Sequence, residues 1–262
     1  MQSVIRVWMD GQGLHDIDPK LVVLDVAENA PTLTINTGAN GKYDGGYIIS
    51  NNREQKDVVV QFVILARRFE ERAAILDKVN AWAGGDLLRV SYRPGQALEC
   101  VCTAFPALTS SWQYAEPMTI TFSAFGVPYW QQRERTAVYG SVASTDQTLG
   151  IRVPGTAPQC RASIEVMNES GSALTSVKAT CAETETEIEL TGLNIAAGKT
   201  LEIGYDVHGY MFIKDSDGTS WYGKRTAQSS DDILLNARKG NSVRIQTNTP
   251  VSSIVSAKGL YV

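Results

Sequence analysis

Asp57-Val-Val-Val-Gln-Phe-Val-Ile-Leu-Ala66, followed by Phe69-Glu-Glu-Arg-Ala-Ala-Ile-Leu-Asp-Lys-Val-Asn-Ala-Trp-Ala83 and the pair Gly84-Gly85, sets the fold class of this chain. The first run is rich in β-branched residues and shows no polar alternation, which predicts a strand buried on both faces. Then the period changes. Phe69, Ala73, Leu76, Val79 and Ala83 recur at three- and four-residue steps, with Glu70, Glu71, Asp77 and Lys78 off that stripe. This spacing predicts an amphipathic helix over about 69–84, about four turns at ~1.5 Å rise per residue. Gly84-Gly85 is expected to end it, because glycine takes the left-handed conformation common at helix C-termini. It is the one convincing long helix, so the chain reads as mainly β with a single helix.

Strands resume at once. Leu87-Leu-Arg-Val-Ser-Tyr92 is followed by a Pro94-Gly95 turn, and Ala97 to Ala104 is predicted to return as a second strand. Met118 to Phe125 alternates Ile120, Phe122 and Ala124 with Thr119, Thr121 and Ser123, as a half-buried strand does. Pro128-Tyr129-Trp130 closes this half. Residues 131–158 lose the pattern, and a domain boundary is expected near residue 135 to 150. Beyond it, short strands are predicted at Ser163 to Met167, Glu187 to Leu190, Thr200 to Tyr205, Tyr210 to Lys214, Ser242 to Thr247 and Val251 to Val255. Gly, Asn, Asp and Pro turns separate them, a spacing that suggests a β-sandwich. The expected domains are 1–140 and 150–262, each long enough to bury a core.

Hydrophobic residues make up 43% and charged residues 20%, the balance of a globular chain and not of a disordered one. Lys and Arg number 24 against 28 Asp and Glu, so the formal net charge is −4. No basic run exceeds Arg67-Arg68, so no sequence-specific nucleic-acid partner is expected. No stretch approaches the ~20 apolar residues that span a bilayer. Met1 to Asp10 has no basic segment leading into an apolar run. Neither membrane insertion nor secretion is therefore expected, and the chain reads as made in a cytoplasm. Cys100 and Cys102, one residue apart, would share a strand face; the spacing is neither redox nor zinc-like, and they read as buried small hydrophobes. Cys160 and Cys181 could meet across a sheet, but a cytoplasmic product normally keeps them reduced.

Motifs with chemical potential each have a plainer reading. Gly192-Leu-Asn-Ile-Ala-Ala-Gly198-Lys199-Thr200 looks like a phosphate loop, but it has one residue too many between its glycines and leads into a strand; it is expected to be a turn. Asp215-Ser-Asp-Gly218 could open a calcium loop, yet Gly218 comes too early, and a hairpin tip is expected. Glu183, Glu185, Glu187 and Glu189 share parity and are expected on one solvated strand face. His15 and His208 are isolated, with no nucleophile elbow or His-Glu-x-x-His nearby. No catalytic, metal or cofactor-binding residue is assigned.

The order of elements carries more than any single motif. Asn36-Thr-Gly-Ala-Asn-Gly-Lys-Tyr-Asp-Gly-Gly46 precedes the apolar strand; the helix with Ala81-Trp82-Ala83 and Leu87-Leu-Arg-Val-Ser-Tyr-Arg93 follow. The half ends in Phe125-Gly-Val-Pro-Tyr-Trp130, and the last residues are Val255-Ser-Ala-Lys-Gly-Leu-Tyr-Val262. Over essentially the full chain this resembles the distal tail family of siphophages. The resemblance implies an N-terminal β-sandwich with one helix that closes into a homo-hexameric ring, and a C-terminal galectin-like β-sandwich projecting from it. It further implies a non-enzymatic hub at the virion tail tip, or baseplate, that joins the tail tube to tip and adsorption proteins and needs no cofactor. Implied partners are copies of itself, the tail tube protein, a hub or lysin-like tail protein and receptor-binding proteins. Gly38, Gly41 and Gly45 look like the family's glycine-rich loop near a ring-forming arm, Trp82 like its helix-end aromatic, and Gly259-Leu260-Tyr261 like its terminal strand. Arg93-Pro94-Gly95 departs from the pattern, being shorter and less aromatic than the family's hairpin.

A ring subunit joins head to tail and so needs two different exposed patches. Tyr43, Tyr47 and Arg53, on the Gly-flexed arm, are the candidate oligomer-interface residues, because aromatic and Arg anchors dominate interfaces. The alternative is a carbohydrate-binding module for host-surface recognition, with Trp221 and Tyr222 stacking on a sugar; the same aromatics also read as core. A cell-wall hydrolase would need a metal cluster or a convergent acid and base, and neither is legible.

Overall fold

The computed structural model describes residues 5–39, 46–109, 114–206 and 209–262. The chain divides into two compact units, Met1–Trp130 with Val262, and Gln131–Tyr261. Among the described residues, no helix is long and apolar enough to cross a membrane.

In the first unit the chain runs β1 (Val7–Met9), β2 (Gln12–Gly13), β3 (Leu21–Glu28), β4 (Leu33–Ala39), β5 (Gly46–Arg53), β6 (Lys56–Ile64), α1 (Phe69–Ala83), β7 (Leu87–Val90), β8 (Gln96–Glu99), β9 (Val101–Ala104) and β10 (Met118–Ala124), with β11 (Trp130–Gln132) leading out of it. One antiparallel sheet has the order β3-β6-β10-β9, and β2-β1-β7-β8 lie side by side in a second. Val58, Val60 and Phe62 of β6 and Ile120 and Phe122 of β10 are fully buried. Val59 and Gln61 are only half-buried, so β6 is covered less on its second face than its apolar run predicts. A β-branched run reports strand propensity; what lies over each face decides burial.

The helix spans the predicted residues, but its buried face is rotated. Arg72, Ile75, Leu76, Val79, Trp82 and Ala83 point inward, whereas Phe69 is 43% exposed. Trp82 explains the rotation: its indole N–H donates to the Gln12 carbonyl (2.8 Å) and its ring meets Phe122 edge-on at 6.0 Å. Gly84 does not take the left-handed form, having φ −77. Gly85 is the residue that must be small, because a Cβ there would collide with Met9 and with the Asp10 carboxylate. That carboxylate accepts the Asp86 and Leu87 N–H groups at 3.2 and 3.0 Å, tying the helix exit to β1.

The predicted strand Ala97 to Ala104 is cut at Cys100. Residues before it pair with β7, and residues after it pair with β10 in the other sheet. Cys100 and Cys102 therefore do not share a strand; Cys100 is buried and Cys102 half-buried.

The second unit comprises β12 (Thr136–Ile151), β13 (Gln159–Asn168), β14 (Leu174–Cys181), β15 (Thr186–Ile195), β16 (Thr200–Tyr205), β17 (Met211–Asp215), β18 (Leu234–Asn236), β19 (Asn241–Ala257) and β20 (Leu260–Tyr261). β19 organises it. Val243 to Thr247 pair with β14, Val251 to Ala257 pair with β13, and β12 follows β19 along both stretches. The two segments predicted as separate strands are thus one strand, whose ladder partner changes from β14 to β13 on either side of Pro250, where proline cannot donate to a ladder. β16 and β17 extend the same eight-stranded sheet beyond β13, and β15 extends it beyond β14. Ile164, Val166, Leu201 and Ile203 face Val177, Ala179, Ile188 and Leu190 in a shared core.

Residues 136–151, where the sequence loses its alternation, form that long strand β12. Its register breaks between Gly140 and Asp146, and Gln147 fills the bulge by donating to the Val142 and Val251 carbonyls and accepting from Ser253. Cys160 and Cys181 lie in this core as free thiols. Burial pushes the Cys160 thiol up to about 11, and the neighbouring Cys181 adds to the shift.

Candidate interaction surfaces

Among the described residues, β4 and β5 pair only with each other, forming a hairpin between β3 and β6. The register places Leu33, Ile35, Ile48 and Arg53 on one face. Leu33, Ile35 and Ile48 are 47%, 48% and 62% exposed, Ile49 at the register shift is 64% exposed, and Arg53 is exposed. A two-stranded hairpin is marginal in water, and an apolar face left open marks a contact surface. Of the candidate interface residues, Arg53 lies on this face opposite Leu33, and Tyr47 pairs with Gly38 in the backbone ladder. The Tyr47 side chain and all of Tyr43 fall outside the described set, as do Gly41 and Gly45.

The hairpin's root is clamped by a group that sequence reading missed. The Glu28 carboxylate, at the end of β3, accepts from Tyr92 Oη (2.7 Å), Arg93 Nε (2.9 Å), Arg93 Nη2 (2.8 Å) and Trp130 Nε1 (2.9 Å). Lys56 Nζ lies 3.4 Å away and donates to the Asn29 carbonyl at 2.9 Å; its side chain is 2% exposed. The Arg93 guanidinium stacks over the Trp130 ring, 5.2 Å from its centroid. Burial by itself would raise the Glu28 pKa, but the hydrogen bonds from Arg93, Tyr92 and Trp130 outweigh it and hold the group below its ordinary value. Desolvation lowers the Lys56 pKa, a shift that Glu28 only partly offsets. Burial and the Glu28 carboxylate push the Tyr92 phenol well up. Val26, Glu28, Asn29, Lys56, Tyr92 and Arg93 line a 470 Å³ pocket here. With its carboxylate saturated by donors, the cluster is built to hold position, not to exchange protons. Tyr92 stands just before the Arg93-Pro94-Gly95 turn and Arg93 opens it; no spacing in the sequence links them to Glu28 or Lys56.

Most of the other candidates sit in the second unit. Trp221 is half-buried against the core, and its indole N–H donates to Asp215 at 3.0 Å. Tyr222 is 45% exposed; the Arg225 guanidinium lies over its ring at 5.0 Å and donates to its hydroxyl at 2.7 Å. The Asp215 carboxylate also accepts the Asp217 and Thr219 N–H groups, and Gly218 at φ +86 closes a hairpin tip. Gly198, at φ +72, lies in the turn from β15 to β16, and Lys199 pairs with Asp217 at 2.7 Å. The four-carboxylate face is not formed. Residues 182–185 make a turn with Glu185 at φ +54, so only Glu187 and Glu189 lie on β15. Glu183 instead accepts the Ser242 N–H at 2.9 Å, and Glu187 pairs with Lys178 at 3.1 Å. His15 lies 3.4 Å from Asp16 and edge-on to Trp8, while His208 is outside the described residues. Among the described residues, no three His, Cys, Asp or Glu side chains gather as a metal ion needs.

No protein-family model matches the sequence, and no curated protein matches it significantly. Solved structures do match. The crystal structure of the Dit protein of phage SPP1, titled a paradigm of the hub adsorption apparatus in phages infecting Gram-positive bacteria, aligns with TM-score 0.68 at 14% identity, covering 98% of this chain and 99% of that one. A chain of the phage p2 baseplate, in its activated conformation with strontium, aligns with TM-score 0.51 at 10% identity over 97% of each chain. The chain therefore carries, over nearly its whole length, the fold of a phage Dit protein.

Proposed function

We propose that this protein is the structural hub of a phage or prophage-derived tail tip. Residues 1–140 would form a ring by self-association, and residues 150–262 would stand as a galectin-like appendage. The observation that carries this reading is the full-length likeness to SPP1 Dit, through both units. The free apolar hairpin supports it physically, because a head-to-tail ring needs an exposed patch that a neighbouring copy covers. Six copies would close the ring. The tail tube protein would meet it on one side, and lysin-like and receptor-binding proteins on the other. The role is architectural, not enzymatic, and belongs to the virion tail tip after assembly in the host cytoplasm. The carbohydrate-binding alternative gains less support, since the polar edge of Trp221 is engaged by Asp215 and the Tyr222 ring is covered by Arg225.

Light scattering on the full chain tests this. The parent is expected to form a closed multimer, and Leu33→Lys combined with Ile48→Lys is expected to give monomer with an unchanged unfolding midpoint, as both side chains are exposed. A parent that stays monomeric at every concentration would refute the ring. A multimer untouched by the double substitution would refute the hairpin as its contact.

A further inference from the structure

The second unit holds a cleft of its own. Arg152, Val153, Pro154, Gly155, Ala237 and Arg238 line a 470 Å³ pocket. Arg152 directly follows the last residue of β12, and Arg238 sits in the turn joining β18 to β19. Both arginines are exposed, and among the described residues neither has a carboxylate partner.

The turn that carries Arg238 is tied down from inside. Asn241 is 2% exposed; its Nδ2 donates to the carbonyls of Asn236 (3.0 Å), Lys239 (3.2 Å) and Ile151 (3.4 Å), and its Oδ1 accepts the Asn236 N–H (2.6 Å). Asn236 Oδ1 in turn accepts the Arg238 N–H (3.0 Å), and Arg238 Nη2 donates to the Thr156 carbonyl (2.9 Å). One buried amide thus fixes the Arg238 turn against the residue that precedes Arg152. The Arg238 fork, held at the Thr156 carbonyl, does not have to be ordered when a ligand arrives.

We propose that this cleft binds a phosphoryl group. A carboxylate offers two oxygens and is satisfied by one guanidinium fork. A phosphoryl group offers three or more oxygens around one centre and can engage both forks. The pocket far exceeds the ~30 Å³ share of a water molecule, so it has room for the group and the atoms attached to it. Free phosphate presents four free oxygens around its centre, and the phosphodiester of a polymer presents two free and two bridging oxygens around the same centre. The inference uses no residue of the hairpin or its root and does not rest on the ring.

Isothermal titration of the full chain at low salt, with inorganic phosphate and separately with diglycerol phosphate, tests it. Saturable binding of at least one is expected, weakened about tenfold or more in Arg152→Gln and in Arg238→Gln. It should be unchanged in Arg67→Gln, which removes the same charge from an exposed site in the other unit. Acetate should bind at least about tenfold more weakly than phosphate, having one fork's worth of oxygens. Tighter binding of the diester assigns a polymer, and binding of phosphate alone assigns the free ion. Absence of saturation with both ligands, equal weakening in all three variants, or acetate binding as well as phosphate would each overturn the proposal.

Discussion

Replacing Glu28 by glutamine keeps the side chain's shape and removes its charge. Glu28, Lys56 and Arg93 have side chains 12%, 2% and 24% exposed, so solvent screens their interactions weakly. In Glu28→Gln, the Lys56 ammonium loses the one ionic partner it has among the described residues, and the new amide N–H₂ points toward donors on Arg93, Trp130 or Tyr92. Removing one member of a buried pair costs about 3–5 kcal/mol. The lower figure, about 3 kcal/mol, is the better expectation here, because Lys56 stands off at 3.4 Å. With a urea m-value of ~2 kcal/mol/M, the midpoint should fall by about 1.5 M. Trp130 lies in the cluster, so tryptophan fluorescence reports on it directly. Lys56→Met should also destabilise, and the double variant should lose less than the sum, with a coupling of about 1–3 kcal/mol. A Glu28→Gln midpoint no further from the parent than that of the exposed Glu70→Gln, or strict additivity in the double variant, would refute the clamp.

The same residue has a pH consequence. Because its folded pKa lies below the ordinary glutamate value of 4.5, the unfolded chain takes up the proton first; stability is present above pH 4.5 and is lost as pH falls toward the folded value, and Glu28→Gln should flatten that limb of an acid-unfolding profile. Cys102, half-buried, should react with a thiol reagent in the native protein, whereas buried Cys100, Cys160 and Cys181 should react only in denaturant; rapid native labelling of all four would contradict the core described above. Gly259→Ala should cost about 1–3 kcal/mol, since the new methyl would strike the Pro154 carbonyl oxygen. Gly150→Ala, with open space around it, is the control, and equal thermal midpoints for the two variants would dismiss the clash.

Much of the architecture was legible wherever a period was unbroken. The helix at Phe69–Ala83 and the strands at Met118–Ala124 and Thr200–Tyr205 match their predicted spans closely, because 3.6- and 2-residue periods are local properties of a chain. The pattern failed where register breaks. β12 was invisible because a bulge between Gly140 and Asp146 shifts the parity of its buried positions, and β14 carries a similar shift between Leu174 and Ser176. Pro250 looked like the end of a strand and instead lies within β19, where that strand's ladder partner changes from β14 to β13.

The sites divide along the same line. Residue types and their order were enough to give a mainly β chain with one helix. What they could not convey was adjacency. Glu28 meets Arg93 and Trp130 across 65 and 102 residues, and Asn241 reaches Ile151 across 90. Ion pairing and buried hydrogen bonding act over a few ångströms in space and follow no fixed interval along the chain, so the clamp beneath the hairpin and the paired arginines of the second unit exist only once the sheets have brought their ends together.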